Sequence, residues 1–153
     1  MIQFSREVKE MLVNAGWFEG RCINTDLYKK EISAEGYSFY NSVEVFLREF
    51  GELQIVFAKK GTNTTDCCHF KVSLAVSGIN QIWVNEDYFK RIRKRVCVIG
   101  QAYSNHLTIM MDEDGKVYGR FDDNLYSIAS TGKEGIQAIC LCNKFEEILP
   151  LVP

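Results

Sequence analysis

A β-hairpin signal at residues 107–121 constrains the fold of this chain more than any other stretch. Two apolar runs, Leu107–Met111 and Val117–Phe121, flank the acidic turn Asp112-Glu113-Asp114-Gly115. Aspartate tolerates turn conformations, and Gly115 can adopt a positive φ without steric cost. The pattern therefore predicts two antiparallel strands joined at this turn.

Helical spacing dominates the N-terminal third. Apolar residues recur at helical intervals in three segments: Ser5–Ala15 with Ser5 as N-cap, about Asp26–Glu35 with Thr25 as N-cap, and a helix that follows Ser42 and ends at Gly51. The aromatic pair Trp17-Phe18 follows the first helix at once, and we expect both rings to fold back onto it.

Strand patterns dominate the rest of the chain. The predicted strands are Leu53–Ala58, His69–Val76, Val96–Tyr103, Leu107–Met111, Val117–Phe121 and Tyr126–Ala129. Composition predicts a loop at 59–66 and a helix at about Glu86–Arg95. Ser130 or Thr131 caps a last helix whose inward residues are Ile136, Ile139, Cys140 and Phe145, and the tail 150–153 leaves the fold.

These elements predict an α+β fold: a mostly antiparallel central sheet with N-terminal helices and a C-terminal helix packed against it. The 153 residues are expected to form one domain, 1–153, since 46% of them are hydrophobic and 25% charged. A net charge of −2 gives no overall drive toward nucleic acid or a membrane surface. No apolar run approaches the roughly 20 residues of a membrane span, and the N-terminus is not a signal peptide, so we expect a cytoplasmic protein.

The cysteines predict reduced thiols. All six, at positions 22, 67, 68, 97, 140 and 142, lie mostly within apolar runs, and a domain of this size does not need crosslinks. Because neighbours on a strand point to opposite faces, one of Cys67 and Cys68 is expected near the surface.

Metal and cofactor motifs are weak. Adjacent ligands such as Cys67-Cys68-His69 do not easily surround a tetrahedral ion, and no Cys-x-x-Cys completes the set. Asp112-x-Asp114-Gly115 imitates an EF-hand loop, but that register places Met110 first and Phe121 twelfth, where acidic ligands are required. We expect no cofactor and no metal.

Catalytic motifs are weak as well. His69 lies beside Phe70 in a predicted strand, and His106 lies in a predicted turn. Nucleophile elbow, Walker and Rossmann patterns do not occur. A small hydrolase or metal enzyme that uses Cys67, Cys68 or His69, and a nucleotide-binding role, stay open as alternatives without specific support.

Two charged regions invite a binding interpretation. The basic run 90–95 places five cations around most of a helix, which favours a solvated face over a phosphate grip. The acidic residues are Asp112, Glu113 and Asp114 in the hairpin turn, with Asp122 and Asp123 after the next strand. They are either plain turn residues or a surface that attracts a basic partner.

Taken together, these segments resemble the third subfamily of the SUKH superfamily (Syd, US22 and Smi1/Knr4 homology). The matching pieces, in order from residue 4 to about 142, are Phe4–Glu10, Ala15–Arg21, Phe46–Gly51, Cys97–Gly100 and Met111–Asp123. The loop 59–66 and the basic run 90–95 depart from the pattern.

The resemblance implies an α+β fold and a non-enzymatic immunity role. Such proteins bind and neutralise a cognate toxin of a polymorphic or contact-dependent system, often a nuclease or nucleic-acid deaminase. It also implies that the matched residues Gly16, Trp17, Gly51, Gly100, Gly115 and Gly119 maintain the fold rather than contact the toxin.

Our hypothesis is therefore a cytoplasmic immunity protein that blocks a toxin by stoichiometric binding, with no membrane or direct nucleic-acid partner. The residues predicted to contact the toxin are Asp112, Glu113, Asp114, Tyr118, Asp122 and Asp123, the acids steering association and Tyr118 supplying an aromatic anchor. The alternative is a Smi1/Knr4-like regulatory scaffold that binds other proteins without a toxin partner. The sequence gives no oligomeric state.

Overall fold

The computed structural model describes residues 3–150. The helices are α1 (Arg6–Asn14), α2 (Asp26–Ala34), α3 (Asn41–Phe50), α4 (Val72–Ser77), α5 (Gln81–Trp83), α6 (Phe89–Ile92) and α7 (Gly132–Cys140). A π-helical turn, Val84–Tyr88, joins α5 to α6. The strands are β1 (Gln54–Ala58), β2 (Thr65–His69), β3 (Val96–Ala102), β4 (Leu107–Asp112), β5 (Val117–Phe121), β6 (Asn124–Ala129) and β7 (Glu146–Ile148).

The strands form one seven-stranded sheet in the order β1-β2-β3-β4-β5-β6-β7. Every pair of neighbours is antiparallel. The α+β prediction is confirmed, as is the hairpin of β4 and β5, in which Met111 pairs with Val117 and Leu107 with Phe121.

Helices cover both faces of the middle of the sheet. Every residue of β3 and β4 is buried, which requires cover on both sides. The first turns of α7 lie on the face of Met111 and Val117, and Phe46 of α3 packs there as well. On the other face the guanidinium of Arg120 stacks on Trp83, 5.1 Å from the ring centroid.

The first helix follows the sequence pattern closely. Ser5 Oγ accepts a hydrogen bond from Val8 N at 3.3 Å, and Val8 and Leu12 are fully buried. Trp17 folds back, its backbone N–H bonded to Leu12 O and its ring edge-on to Phe4. Phe18 does not, because its side chain points to solvent with 60% of its surface exposed.

The predicted strand His69–Val76 is wrong. The strand β2 begins at Thr65, inside the predicted loop, and ends at His69, while Val72–Ser77 is the helix α4. Val72, Ala75 and Val76 have the i, i+3, i+4 spacing of a helix, and all three are buried. Branched residues favoured a strand locally, but packing of α4 against β3 and α2 decides the outcome.

Several element ends also differ. The N-cap of α2 makes no side-chain bond through Thr25; Asn24 Oδ1 accepts from Asp26 N instead. The helix predicted at Glu86–Arg95 begins at Gln81 and ends at Ile92, because Arg93 adopts a left-handed conformation.

The end of the described chain is only partly as predicted. Thr131 caps α7 as predicted, through its Oγ1. Phe145 lies beyond the end of α7, where its ring packs against Tyr103 and Tyr126. Sequence patterns missed β7, and the predicted tail at 151–153 lies outside the described residues.

His69 joins β2 to the turn between β3 and β4. Its Nδ1 accepts from Lys71 N at 3.1 Å, so the hydrogen-bond network assigns the proton to Nε2, which lies 3.1 Å from Gln101 Oε1 and 3.2 Å from Asn105 Oδ1. The turn needs support because Tyr103, Ser104 and Asn105 all have positive φ. Burial lowers the pKa of His69 below its ordinary value.

This arrangement predicts a pH-dependent stability. A neutral His69 is favoured in the folded state, so its contribution is complete above the unfolded-state pKa of about 6.5 and is lost as the pH falls below it. The free energy of unfolding should therefore decrease more steeply from pH 7.5 to 5 in the wild type than in His69→Gln. Urea titrations across that range measure both slopes. Equal slopes would show that protonation of His69 is not coupled to unfolding.

Candidate partner-binding surface

A buried carboxylate holds the acidic turn between β4 and β5. Asp112 Oδ1 accepts from Asp114 N at 2.8 Å and from Lys116 N at 3.0 Å, and Oδ2 accepts from Tyr118 Oη at 2.9 Å. Gly115 completes the turn with a φ of +89°. A carboxylate excluded from water must be fully hydrogen-bonded, and here donors from the turn and from β5 meet that requirement.

Two of the residues predicted to contact a partner are therefore inside the protein. Asp112 is 0% exposed and Tyr118 is 7% exposed. Burial, followed by the hydrogen bond to Asp112, raises the pKa of Tyr118. Both side chains support the turn from beneath, and in this conformation neither presents the steering charge or aromatic anchor predicted for it.

The exposed tip of the turn consists of Glu113 and Asp114. Lys94 reaches both, with Nζ 2.6 Å from Asp114 Oδ2 and 3.4 Å from Glu113 Oε1. The hydrogen bond to Asp114 raises the pKa of Lys94 and lowers that of Asp114. The basic run and the acidic turn, which are separate in sequence, thus share one surface, and Lys94 offsets part of the negative charge.

The helix α3 lies directly beside this turn. Ser42 Oγ donates to Asp112 O at 2.7 Å, which fixes the start of α3 against the turn. Ser42, Val45 and Glu49 follow at i, i+3 and i+7 and line a groove of about 180 Å³ together with Asp114 and Gly115. Val45 is 53% exposed, so this groove carries an accessible apolar side chain next to the acids.

The start of α7 forms the other wall of the groove. Ser130, Thr131, Gly132 and Lys133 line it. Gly132 touches the ring of Phe46 so closely that a Cβ there would collide with the ring. The wall of the groove is therefore packed tightly onto α3.

A second depression of about 490 Å³ adjoins the groove. Glu49 and Lys133 line both. Trp17 Nε1 donates to Glu49 Oε2 at 3.0 Å, and Arg21 donates to the carbonyls of Glu49 and Gly51 at 2.6 and 2.9 Å. The matched residue Trp17 is thus a structural support for this face, as the sequence resemblance implies.

The remaining predicted residues lie elsewhere. Asp122 and Asp123 form the exposed turn between β5 and β6, at the opposite end of β5 from Glu113 and Asp114. At about 3.3 Å per residue the two turns are roughly 16 Å apart. Asp123 lines a separate cleft of about 310 Å³ with Trp83, Asp87, Tyr88 and Arg120.

Three of the six cysteines are buried, and one residue of the basic run, Arg91, has an internal contact. Burial raises the pKa of Cys68, Cys97 and Cys140, and all six cysteines are free thiols. Cys68 is buried and Cys67 is partly exposed, which confirms the prediction for this pair. Arg91, from the basic run, donates to Ile148 O and pairs with Asp87 at 3.2 Å, so it anchors β7.

No cluster of three or more potential metal ligands occurs within residues 3–150. Over the same residues, no helix combines the length and apolar character needed to cross a lipid bilayer.

Comparison with known families identifies the class of protein. A family model described as SUKH-3 immunity protein matches residues 4–141. This chain therefore belongs to the SUKH-3 immunity protein family, as the sequence resemblance indicated. Searches of curated proteins and of solved structures returned no match.

The buried carboxylate leads to a stability prediction. Asp112→Ala leaves Tyr118 Oη and two backbone N–H groups without their acceptor, and should lower the free energy of unfolding by about 2–4 kcal/mol. Asp112→Asn should lose less than half as much, because the amide oxygen keeps two acceptor bonds and the amide N–H can donate to Tyr118. Urea denaturation measures both variants. An Ala variant as stable as the wild type would contradict this role of Asp112.

Proposed function

We propose that this protein neutralises a cognate toxin of nuclease or nucleic-acid deaminase type by stoichiometric binding in the cytoplasm, without catalysis. Membership of an immunity protein family supports a toxin-immunity role in general. The single observation that supports a binding surface is the groove of α3 and the acidic turn. It combines an accessible Val45 with exposed carboxylates on a backbone that buried bonds hold in place.

The layout of this surface resembles the usual arrangement of a protein interface. Such interfaces place apolar side chains at the centre and charged groups at the rim. Here Val45 and the groove occupy the centre, while Glu49, Glu113 and Asp114 lie around it. A toxin that binds nucleic acid carries a basic surface, to which these carboxylates are complementary.

The second acidic turn lies outside this patch. Asp122 and Asp123 are at the other end of β5, and the cleft that Asp123 lines with Trp83 and Arg120 is on the sheet face opposite the groove. We assign Asp122 and Asp123 a steering role outside the contact, and assign the central contacts to Val45, Glu113 and Asp114.

The apolar centre is tested by a matched pair of variants. Val45→Asp should weaken toxin binding at least about tenfold, equivalent to about 1.4 kcal/mol, because it places a hydrated charge in the interface core. Val13→Asp is the control, since Val13 lies on α1, outside the groove, and is also 53% exposed. Titration calorimetry with the product of the adjacent toxin gene measures both affinities. Equal affinities for the two variants would exclude the groove as the binding centre.

The acidic rim is tested by association rates. The double variant Glu113→Lys and Asp114→Lys should slow association with a basic toxin, most strongly at low salt, with a smaller effect on dissociation. The control Glu7→Lys and Glu10→Lys makes the same change of net charge on the exposed face of α1. Surface plasmon resonance at several salt concentrations gives both rate constants. A slowing shared equally by both variants would reflect net charge alone.

Failure of the wild type to bind or inhibit that toxin would contradict the proposed function itself. Co-expression with the toxin gives an independent readout, since cells that carry the wild-type protein should survive at toxin levels that kill cells without it.

A further inference from the structure

The outer edge of β1 carries backbone groups without partners. Lys59 N donates to Thr64 O at 2.9 Å and Phe70 N donates to Leu53 O at 3.1 Å. These two bonds show which alternate residues of β1 direct their backbone N–H and C=O groups toward β2. Odd-numbered residues of β1 therefore bond to β2, and the N–H and C=O groups of Gln54, Val56 and Ala58 point away from it.

Within residues 3–150 nothing else pairs with these groups. The strand β1 is the terminal strand of the sheet, and none of the three residues has a backbone hydrogen bond to another segment. All three are exposed, and the side chain of Val56 is 50% exposed. The edge is therefore accessible, and its central side chain is apolar.

The opposite edge of the sheet is protected, unlike β1. The strand β7 is three residues long, carries the exposed Glu146 and Glu147, and has the carbonyl of Ile148 occupied by Arg91. Short length, charge and occupied carbonyls are the means by which proteins prevent edge pairing. Residues 54–58 contain neither proline nor charge, so β1 lacks these protections.

We propose that β1 pairs antiparallel with β1 of a second copy of this chain, about a two-fold axis at Val56. Val56 then pairs with Val56 of the second copy, and Gln54 with Ala58, so that all the outward N–H and C=O groups of these residues find partners. This isologous arrangement closes after two chains and joins the two sheets into one.

Charge at the ends of β1 favours a second copy as the occupant. Glu52 precedes the strand and Lys59-Lys60 follow it, all of them exposed. Antiparallel pairing of two identical strands brings each carboxylate toward the ammonium groups of the other chain, whereas parallel pairing would bring like charges together. The two Val56 side chains cover each other at the axis. Such a contact belongs to the small, weak class of interfaces, so the dimer should form only at high protein concentration.

Amide hydrogen exchange by NMR tests the pairing directly, under reducing conditions because Cys22 is exposed. From dilute to concentrated protein, exchange at Gln54, Val56 and Ala58 should slow at least about tenfold. The amides of Ile55 and Phe57 bond to β2 in either state and serve as internal controls. Sedimentation velocity over the same range should show a shift from monomer to dimer.

Three variants separate this pairing from other contacts. Val56→Pro removes an outward N–H without breaking a hydrogen bond between β1 and β2 and should abolish dimerisation, while the isosteric Val56→Thr should preserve it. Lys60→Glu places a carboxylate close to Glu52 of the other copy and should weaken the dimer by repulsion. This variant keeps the pairing testable in the case that Val56→Pro does not fold.

Three results would overturn the proposal. The first is a wild type that stays monomeric at millimolar concentration, and the second is a Val56→Pro variant that folds and dimerises normally. The third is protection of the three amides only after a toxin is added, which would assign this edge to the toxin instead.

Discussion

The carboxylate of Asp112 is the interaction on which the rest of this structure depends. Its two oxygens accept from the acidic turn and from Tyr118 of β5, and its backbone carbonyl accepts from Ser42 of α3. It also pairs with Val96 across β4 and β3. One residue thus links α3, β3, β4 and β5, and leaving it without donors would place an uncompensated charge in the core.

This internal fixation determines what the exterior can do. The carbonyl of Asp112, its side-chain oxygens and the backbone conformation of Gly115 are all fixed in the folded protein. Such a turn loses little conformational freedom when a partner binds, so less of the interaction energy is spent on ordering it. Glu113 and Asp114 carry the charge outward, while Asp112 and Tyr118 fix their position. The same acidic segment therefore contains residues with two different tasks.

Local sequence patterns predicted most of this fold. The hairpin, the first and third helices and the cap of α7 depend on periodicity, turn residues and capping side chains, all of which are local. The helix α4 was mistaken for a strand because branched residues suit either element, and only contacts with β3 and α2 decide between them. The strand β7 was missed because it has three residues and no apolar alternation of its own.

The surface was harder to predict than the fold. Nothing local distinguishes the buried Asp112 from its exposed neighbours, since burial depends on Tyr118, six residues later, and on cover from α3. The pairing of Lys94 with the acidic turn likewise follows from the β3–β4 register, which brings Val96 opposite Asp112. A positive φ at Arg93 turns the chain just before Lys94, and no sequence signal marks it.

The order of strands has a consequence for how the chain reaches its native state. Five of the six connections between neighbouring strands are short or moderate in length, so most pairings involve little loss of loop entropy. The exception is the junction of β2 and β3, where the segment that carries α4, α5 and α6 intervenes and the ladder consists of Cys68↔Ala102 and His69↔Gln101. We expect this seam to close late in folding, after the β3–β6 meander has assembled around its hairpins.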